Sequence, residues 1–265
     1  MFADDCILYA TVEDENDAKR LQKNLDGLTH WQDKWQMMFN PDKCHVLRIT
    51  HSKPLKFNYK LNNTVLKETS SHTYLGVDLS SNLKWNTHID RITSKANKTL
   101  GFLRRNLHSC PQHIKDTAYK TFVRPILEYA CTVWDPYTQE QIDKLEAVQR
   151  RAARFVVNRY HNTSSVTCMI DALQWPSLQH RRKINRLAML KKFLDHDAIF
   201  NMKKIRPAPI RPRRAHSQQL VKIRGKQEYR TESFLPKTIR EWNALPETTI
   251  AADTLDTFKS RVPLP

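Results

Sequence analysis

The sequence predicts an α+β fold, with short strands in the first third of the chain and helices in most of the remainder. Between residues 1 and 80, apolar residues stand in short runs separated by turn signals. From about residue 86 they recur every three or four positions, which is the period of an amphipathic helix. The 265 residues are 40% hydrophobic, enough for a real core. We expect three regions: mixed α+β over 1–80, helical over 86–200, and a basic Pro/Arg-rich loop with short C-terminal helices over 201–265.

The first region is expected to combine one helix with antiparallel strand pairs. The stretch "ENDAKRLQKNLDGLTHWQDKWQMMF" places apolar residues on one helical face, and "NPDK" ends the helix because Pro41 cannot continue it. "CHVLRIT" then predicts a short strand, Asn62-Asn63 a hairpin, and "HTYLGVDLS" one further apolar strand. The residues of the helical face are Leu21, Leu25, Leu28 and Trp35.

The second region is expected to contain four helices. The second of these includes Pro125, which kinks or divides it. The third opens at Thr138 with Gln141 at capping-box spacing, and the fourth has Pro176 in its first turn. The apolar faces of the first and third helices comprise Ile89, Ile92, Ala96, Leu100, Leu103, Ile142, Leu145, Val148, Ala152 and Phe155.

The charge is strongly basic and regional. There are 44 Lys+Arg against 27 Asp+Glu, a formal net charge of +17. Residues 1–50 carry 6 basic and 9 acidic residues, whereas residues 151–265 carry 23 basic and 9 acidic ones. This distribution favours a polyanion-binding body with an acidic N-terminal part. The alternative is a soluble basic protein without a nucleic-acid partner.

The five cysteines are too far apart for zinc-ligand spacing, and no secretory leader or bilayer-spanning run is evident. We therefore expect an intracellular protein of the nucleus or cytoplasm with free thiols, not secreted and without a membrane partner. Only four glycines occur, which excludes a Gly-rich phosphate loop, and no small-molecule cofactor is evident.

The opening "MFADDCILYA" sets two adjacent aspartates, Asp4 and Asp5, between apolar residues. Phosphoryl transfer to a nucleic-acid 3′ end commonly uses two divalent metals held by carboxylates. A β-turn that carries adjacent aspartates projects hard oxygen ligands of that kind. The alternative is a solvated turn.

The order of several blocks resembles the C-terminal part of a reverse transcriptase of the non-LTR (LINE-like) retrotransposon type. "FADDCILYA", then "W…FNPDKCHVLRIT", then "YLGVDLS" resemble the later palm motifs of that family. "VRPILEYACTVW", "LEAVQRRAARFV" and "SFLPKTIREWNALP" resemble the helical region that follows its palm. The resemblance implies a partial antiparallel polymerase palm followed by a mainly helical thumb-like region.

The resemblance also implies roles for individual residues. Asp4 and Asp5 match the metal-binding aspartates, which would hold Mg²⁺, weakly in this chain. Lys43 matches a catalytic lysine that protonates the leaving pyrophosphate; the alternative is a surface lysine after a turn. Tyr74, Leu75 and Gly76 match the primer grip, which the resemblance implies is a hairpin; the alternative is an ordinary buried strand.

Two basic clusters on predicted helices are candidate nucleic-acid-binding residues, because such faces can follow a phosphate backbone. The alternative for each is a solvated helix face. The six tryptophans are expected mainly in the core. The clusters are Arg150, Arg151 and Arg154 in "QRRAARF", and Arg181, Arg182, Lys183 and Arg186 in "HRRKINR".

The resulting hypothesis is a fragment of an RNA-directed DNA polymerase (a reverse transcriptase) whose partners are an RNA template and a DNA primer, or an RNA–DNA hybrid. The family's upstream palm aspartate and fingers have no counterpart before Asp4, so we expect the chain alone not to extend a primer. The alternatives are a non-catalytic basic module that binds RNA or an RNA–DNA hybrid, and a decayed copy without a role.

Overall fold

The structure is a computed structural model that describes residues 5–50, 55–161, 163–196, 205–209 and 216–263. It divides into two compact units, the first ending at His88 and the second beginning at Ile89. The predicted α+β class is confirmed, with the strands in the first unit and most of the helices in the second. No helix among the described residues is long and apolar enough to cross a membrane.

The first unit contains one long helix and short strands. Helix α1 is N-capped by Asp14, whose side chain accepts a hydrogen bond from the Asp17 backbone, and it ends where Gln36 takes a left-handed φ of 55°. A 3₁₀ turn at Pro41–Lys43 follows, capped by Asn40. The elements are α1 (Glu15–Trp35), β1 (His45–Leu47), β2 (Lys60–Leu61), β3 (Thr64–Val65), β4 (Lys67–Thr69), β5 (Ser71–Tyr74) and β6 (Val77–Ser80).

Three two-stranded pairs occur in the described part of this unit. β2 and β3 form the hairpin predicted at Asn62-Asn63, whose φ values of 50° and 61° are those that a two-residue turn requires. β5 and β6 also pair antiparallel, but β1 pairs with β4 in parallel. The expectation of antiparallel pairs alone was therefore wrong. The chain between β1 and β4 is long enough for the return that a parallel pair needs.

The hydrophobic core of the first unit is small. Its fully buried apolar side chains, among the described residues, are Ala18, Tyr59, Leu61 and Val77. The predicted face of α1 is half-buried at its three leucines, but Trp35 is 59% exposed, so its placement in the core was wrong. Met37 and Met38 beside it are also exposed.

The second unit is built from helices, the first of which, α2, begins just before the unit boundary. Each buried position predicted for the first and third helices is confirmed. The described helices are α2 (Asn86–Asn106), α3 (Gln112–Ala118), α4 (Arg124–Glu128), α5 (Cys131–Trp134), α6 (Gln139–Val157), α7 (Val166–Ala172), α8 (Leu178–Asp195), α9 (Glu228–Thr231), α10 (Phe234–Trp242), α11 (Glu247–Ile250) and α12 (Leu255–Arg261).

The predicted division near Pro125 takes two steps. A π-helical segment, Tyr119–Val123, joins α3 to α4, whose second residue is the proline, which has no N–H to donate to a preceding turn. The helix then ends at Tyr129, and Ala130 adopts a left-handed φ of 51° before α5 begins. The interruption therefore lies five residues after the proline.

The predicted starts of α6 and α8 are confirmed only in part. Thr138 is the N-cap of α6 but makes no side-chain cap hydrogen bond, so the capping box is not formed. Pro176 precedes α8 instead of lying in its first turn, and Ser177 is the N-cap, with its Oγ 3.1 Å from the His180 backbone nitrogen. The C-terminal core of the unit contains Leu187, Leu190, Leu220, Ile239, Trp242, Leu245, Ile250, Ala252, Phe258 and Val262.

Candidate nucleic-acid interface

The predicted catalytic and metal-binding residues belong to the first unit. Asp5 is exposed, whereas Asp4 lies outside the described residues. Lys43 is exposed at the end of the 3₁₀ turn, and its carbonyl lies 3.0 Å from His45 Nδ1. The described residues contain no group of three or more His, Cys, Asp or Glu side chains that could hold a metal ion. Metal binding by Asp4 and Asp5 and catalysis by Lys43 stay predictions.

The predicted primer-grip residues form the tip of the β5–β6 hairpin. Tyr74 pairs with Val77, so Leu75 and Gly76 are the two turn residues. Their φ values are 45° and 75°, as a primed two-residue turn requires. The residues alone predicted one strand, whereas the resemblance implied a hairpin, and a hairpin is what the structure contains. The role of this tip as a primer grip stays a prediction.

The three arginines predicted on α6 lie on its solvent side or at its edge. Arg150 and Arg151 are exposed, and Arg154 is half-buried. Arg151 Nη1 lies 3.2 Å from Asn97 Oδ1, so α6 reaches α2 at this point. None of the three forms an ion pair with another described residue. No described carboxylate therefore competes with an anionic partner for their guanidinium groups.

A groove of about 630 Å³ runs along the face of α2 that Arg151 reaches. Most of its lining is small or polar, so a sugar–phosphate backbone can approach the helix closely, and two cations supply its charge. Lys98 and Arg105 are exposed and form no ion pair within the described chain. We name these two residues together with Arg151 the α2–α6 cationic groove. The lining residues are Asp90, Thr93, Ser94, Asn97, Lys98, Gly101 and Arg105.

The one carboxylate in the lining of the groove is ion-paired. Asp90 Oδ1 lies 3.0 Å from Lys144 Nζ, which also lies 3.2 Å from a carboxylate oxygen of Glu140. Hydrogen bonds to Asp90 and Glu140 raise the pKa of Lys144, so this lysine stays protonated. The remaining potential of the groove is therefore positive.

The α2 cations are functional candidates that the sequence analysis missed. The signal was present in "RITSKANKTLGFLRR", where Lys98 and Arg105 stand seven residues apart and hence on one helical face. The basic residues of α2 are more widely spread than the groups of three and four on α6 and α8. Phe102, which is 57% exposed, follows Lys98 by four residues and precedes Arg105 by three on the same helix.

The second predicted cluster, on α8, is mostly an internal ion-pair network. Asp135, whose side chain is 6% exposed, accepts from Arg182 Nε at 2.8 Å and from Lys237 Nζ at 2.7 Å, and it also binds Arg186. Arg186 Nη2 in addition lies 2.6 Å from a carboxylate oxygen of Glu241. Arg182 is 0% exposed and Arg186 is 2% exposed. This network joins α8 to α10 and to the loop after α5.

The expectation that Arg182 and Arg186 lie on a nucleic-acid-binding face is therefore wrong, because buried and paired side chains cannot reach a phosphate. Arg181 is bound to Glu128, with Nη2 at 3.0 Å from Oε2, and this pairing raises its pKa. Arg181 is thus also held within the protein. Lys183 is half-buried and forms no ion pair with a described residue, and its role stays a prediction.

Comparison with known proteins gives relatives of one kind. The chain is 30% identical over 173 residues to the RNA-directed DNA polymerase from mobile element jockey of Drosophila funebris, which is 62% of this chain and 18% of the relative. It is 26% identical over 165 residues to the probable RNA-directed DNA polymerase from transposon BS of Drosophila melanogaster, covering 59% of this chain and 18% of the relative. The corresponding X-element protein of D. melanogaster is 22% identical over 159 residues, 58% of this chain and 18% of the relative.

The matched region spans less than a fifth of the length of these relatives. No family model matches the chain. No solved structure gives a significant match. The predicted resemblance is confirmed: over about 60% of its length, the chain is similar to the RNA-directed DNA polymerases of non-LTR retrotransposons.

Proposed function

We propose that this chain is part of an RNA-directed DNA polymerase of a mobile element and that it binds the phosphate backbones of an RNA template and a DNA primer through the α2–α6 cationic groove. The single observation that carries the proposal is the groove itself. Two unpaired cations, Lys98 and Arg105, line it together with small polar side chains, Arg151 reaches the lining residue Asn97 from a second helix, and its one acidic group is ion-paired.

The type of ligand follows from the chemistry of this surface. Lysine and arginine side chains contact phosphates without reading bases, and their contribution falls as salt is raised. The names of the relatives supply the remaining support, because an RNA-directed DNA polymerase handles an RNA–DNA hybrid. Asp4, Asp5, Lys43 and the Tyr74–Gly76 tip keep their proposed roles at the metal and primer sites of such an enzyme.

Binding is tested by fluorescence anisotropy with a labelled RNA–DNA hybrid. The test variant is K98Q/R105Q/R151Q, and the matched control is K23Q/K67Q/K84Q, which removes the same charge from exposed lysines of the first unit. The slope of log affinity against log salt is expected to fall by roughly 3 in the groove variant, since each lost phosphate contact accounts for about 0.9. Equal slopes for the two variants, or no binding by the wild type at about 50 mM salt, would refute the proposal.

Polymerisation is a separate question, which primer extension answers. We propose that the 265-residue chain binds hybrid without extending it, because it matches only 18% of the length of the relatives. The measurement is extension of oligo(dT) on poly(rA) with Mg²⁺. Extension product from the wild-type chain that is absent with Asp4→Ala and with Asp5→Ala would contradict the proposal that the chain does not extend the primer. It would place catalysis in the chain. Hybrid binding that persists in both variants would favour the non-catalytic binding module.

A further inference from the structure

A second run of unpaired cations lies in the C-terminal part of the second unit, away from α2 and α6 in the sequence. Lys222, Arg224 and Lys226 are exposed, while Ile223 and Gly225 between them are half-buried. Over residues 222–225 this alternation resembles that of an extended chain, in which every second side chain points the same way, and the chain then bends at Lys226. We name residues 220–226 the basic segment.

The basic segment is fixed at its first end by the side chain of Asn243. Asn243 Nδ2 donates to the Leu220 carbonyl at 2.8 Å, and Asn243 Oδ1 accepts from the Leu220 nitrogen at 2.9 Å. The amide thus takes the place of a neighbouring strand. Trp242 Nε1 adds a bond to the Gln218 carbonyl at 2.9 Å, and Val221 donates to the Arg206 carbonyl at 2.8 Å.

Packing fixes the rest of the segment. Leu220 is 5% exposed in the C-terminal core, and Ile223 packs against the same cluster. Gly225 lies so close to α9 that an added Cβ would be 3.2 Å from Arg230 Cγ. With Ile223 and Gly225 turned inward, Lys222, Arg224 and Lys226 are left on the outer side.

Several other cations in the same part of the unit are already paired. Lys237, Arg240 and Lys259 each form an ion pair with a carboxylate. Lys222, Arg224, Lys226 and the neighbouring Arg206 form none with any described residue. Because the backbone that carries these cations is already held in place, binding a chain of phosphates need only order their side chains.

We propose that the basic segment is a second nucleic-acid site, which binds the phosphates of a single RNA or DNA strand through Lys222, Arg224 and Lys226. The inference rests on the proposed function for the class of ligand but uses different residues. Three exposed cations within five residues of one segment suit a strand of phosphates better than a folded acidic protein. A membrane surface is a poorer fit, because Val221 is the one large apolar side chain that the segment exposes and it offers little area to insert into lipid.

The test compares K222Q/R224Q/K226Q with K98Q/R105Q/R151Q and with the first-unit control K23Q/K67Q/K84Q, all in the full chain. The probe is a labelled single-stranded RNA of about 30 nucleotides, long enough to span several contacts. We expect the segment variant to lower the salt slope by about 2, since each contact to a single strand accounts for about 0.7. When salt is raised from about 50 to 200 mM, the affinity of the wild type should then decrease by a factor on the order of ten larger than the decrease for the segment variant.

The outcomes separate the two proposals. If the segment variant matches the first-unit control while the groove variant loses binding, the second site is refuted and the proposed function stands. If the groove variant binds single-stranded RNA normally and the segment variant does not, the second site stands, and the groove assignment fails only if the groove variant also binds the RNA–DNA hybrid normally. Weaker binding of the segment variant to anionic phospholipid vesicles, with unchanged RNA binding, would overturn the inference in favour of a membrane surface. Circular dichroism of each variant reports whether it folds.

Discussion

Replacing Asp135 by asparagine should destabilise the second unit strongly, because the substitution keeps the shape of the side chain and removes the charge at the centre of a buried network. Arg182, 0% exposed, has its only ion pair among the described residues with this carboxylate. Its Nη1 and Nη2 atoms are buried without a hydrogen-bond partner in the described chain. Asp135→Asn therefore leaves a buried guanidinium without a counter-charge.

The magnitude follows from the three contacts of Asp135. Hydrogen bonds to charged groups contribute roughly 1.5–3 kcal/mol each, which sets an upper limit for the loss. Two partners keep other carboxylates, since Arg186 lies 2.6 Å from Glu241 and Lys237 lies 3.8 Å from Glu232. The expected loss in the free energy of unfolding is therefore about 3–5 kcal/mol, as for a buried ion pair that loses one member.

Urea unfolding followed by tryptophan fluorescence measures this loss. Trp134 and Trp242 are both 0% exposed in the second unit, so they report on its unfolding. The matched control is Asp256→Asn, because Asp256 is 94% exposed and lies 3.4 Å from Lys259. An exposed pair contributes at most about 1 kcal/mol. A loss for Asp135→Asn no larger than that of the control would refute the reasoning.

Three further predictions concern other parts of the molecule. Asn243→Ala removes both hydrogen bonds to the Leu220 backbone, so trypsin should cleave the basic segment faster than in the wild type. The control is Asn106→Ala, which removes a side-chain hydrogen bond within α2 and should leave the rate of that cleavage unchanged. Burial, with Lys183 and Arg181 nearby, lowers the pKa of His180 below its ordinary 6.5, so the unfolded chain binds the proton more tightly than the folded one. The free energy of unfolding should therefore fall as the pH drops below 6.5, and it should fall by less in His180→Gln. Urea unfolding from about pH 7.5 to 5.5 measures this difference. The exposed Met37 and Met38 should promote concentration-dependent association on a sizing column, and M37S/M38S should reduce it; a wild-type chain that elutes as a monomer at every concentration would contradict this.

The helices were predictable from sequence because their information is local. Ile89, Ile92 and Ala96 repeat at the helical period, and the structure buries all three. The Asn62-Asn63 hairpin was predictable for the same reason, since asparagine readily adopts the left-handed backbone that the turn needs.

What could not be predicted depends on partners that are distant in sequence. Arg182 reads as a surface arginine until Asp135, 47 residues earlier, is known to lie beside it. The parallel pairing of His45 with Lys67 depends likewise on the path of the chain between them. Conversely, Lys98 and Arg105 were overlooked although their seven-residue spacing was visible. The α6 cluster was found because its arginines are adjacent and its helix has a clear apolar face.

The network around Asp135 also constrains how such a sequence can change over time. The side chains of this network are joined by shared ion pairs, so the free-energy effects of substituting them are not additive. Besides Asp135 they are Arg182, Arg186, Lys237 and Glu241. Loss of Asp135 becomes tolerable only when Arg182 is exchanged for a neutral side chain as well. Among related chains, these five positions should therefore vary together or stay fixed together, whereas an exposed cation of the basic segment can be exchanged without a compensating change elsewhere in the core.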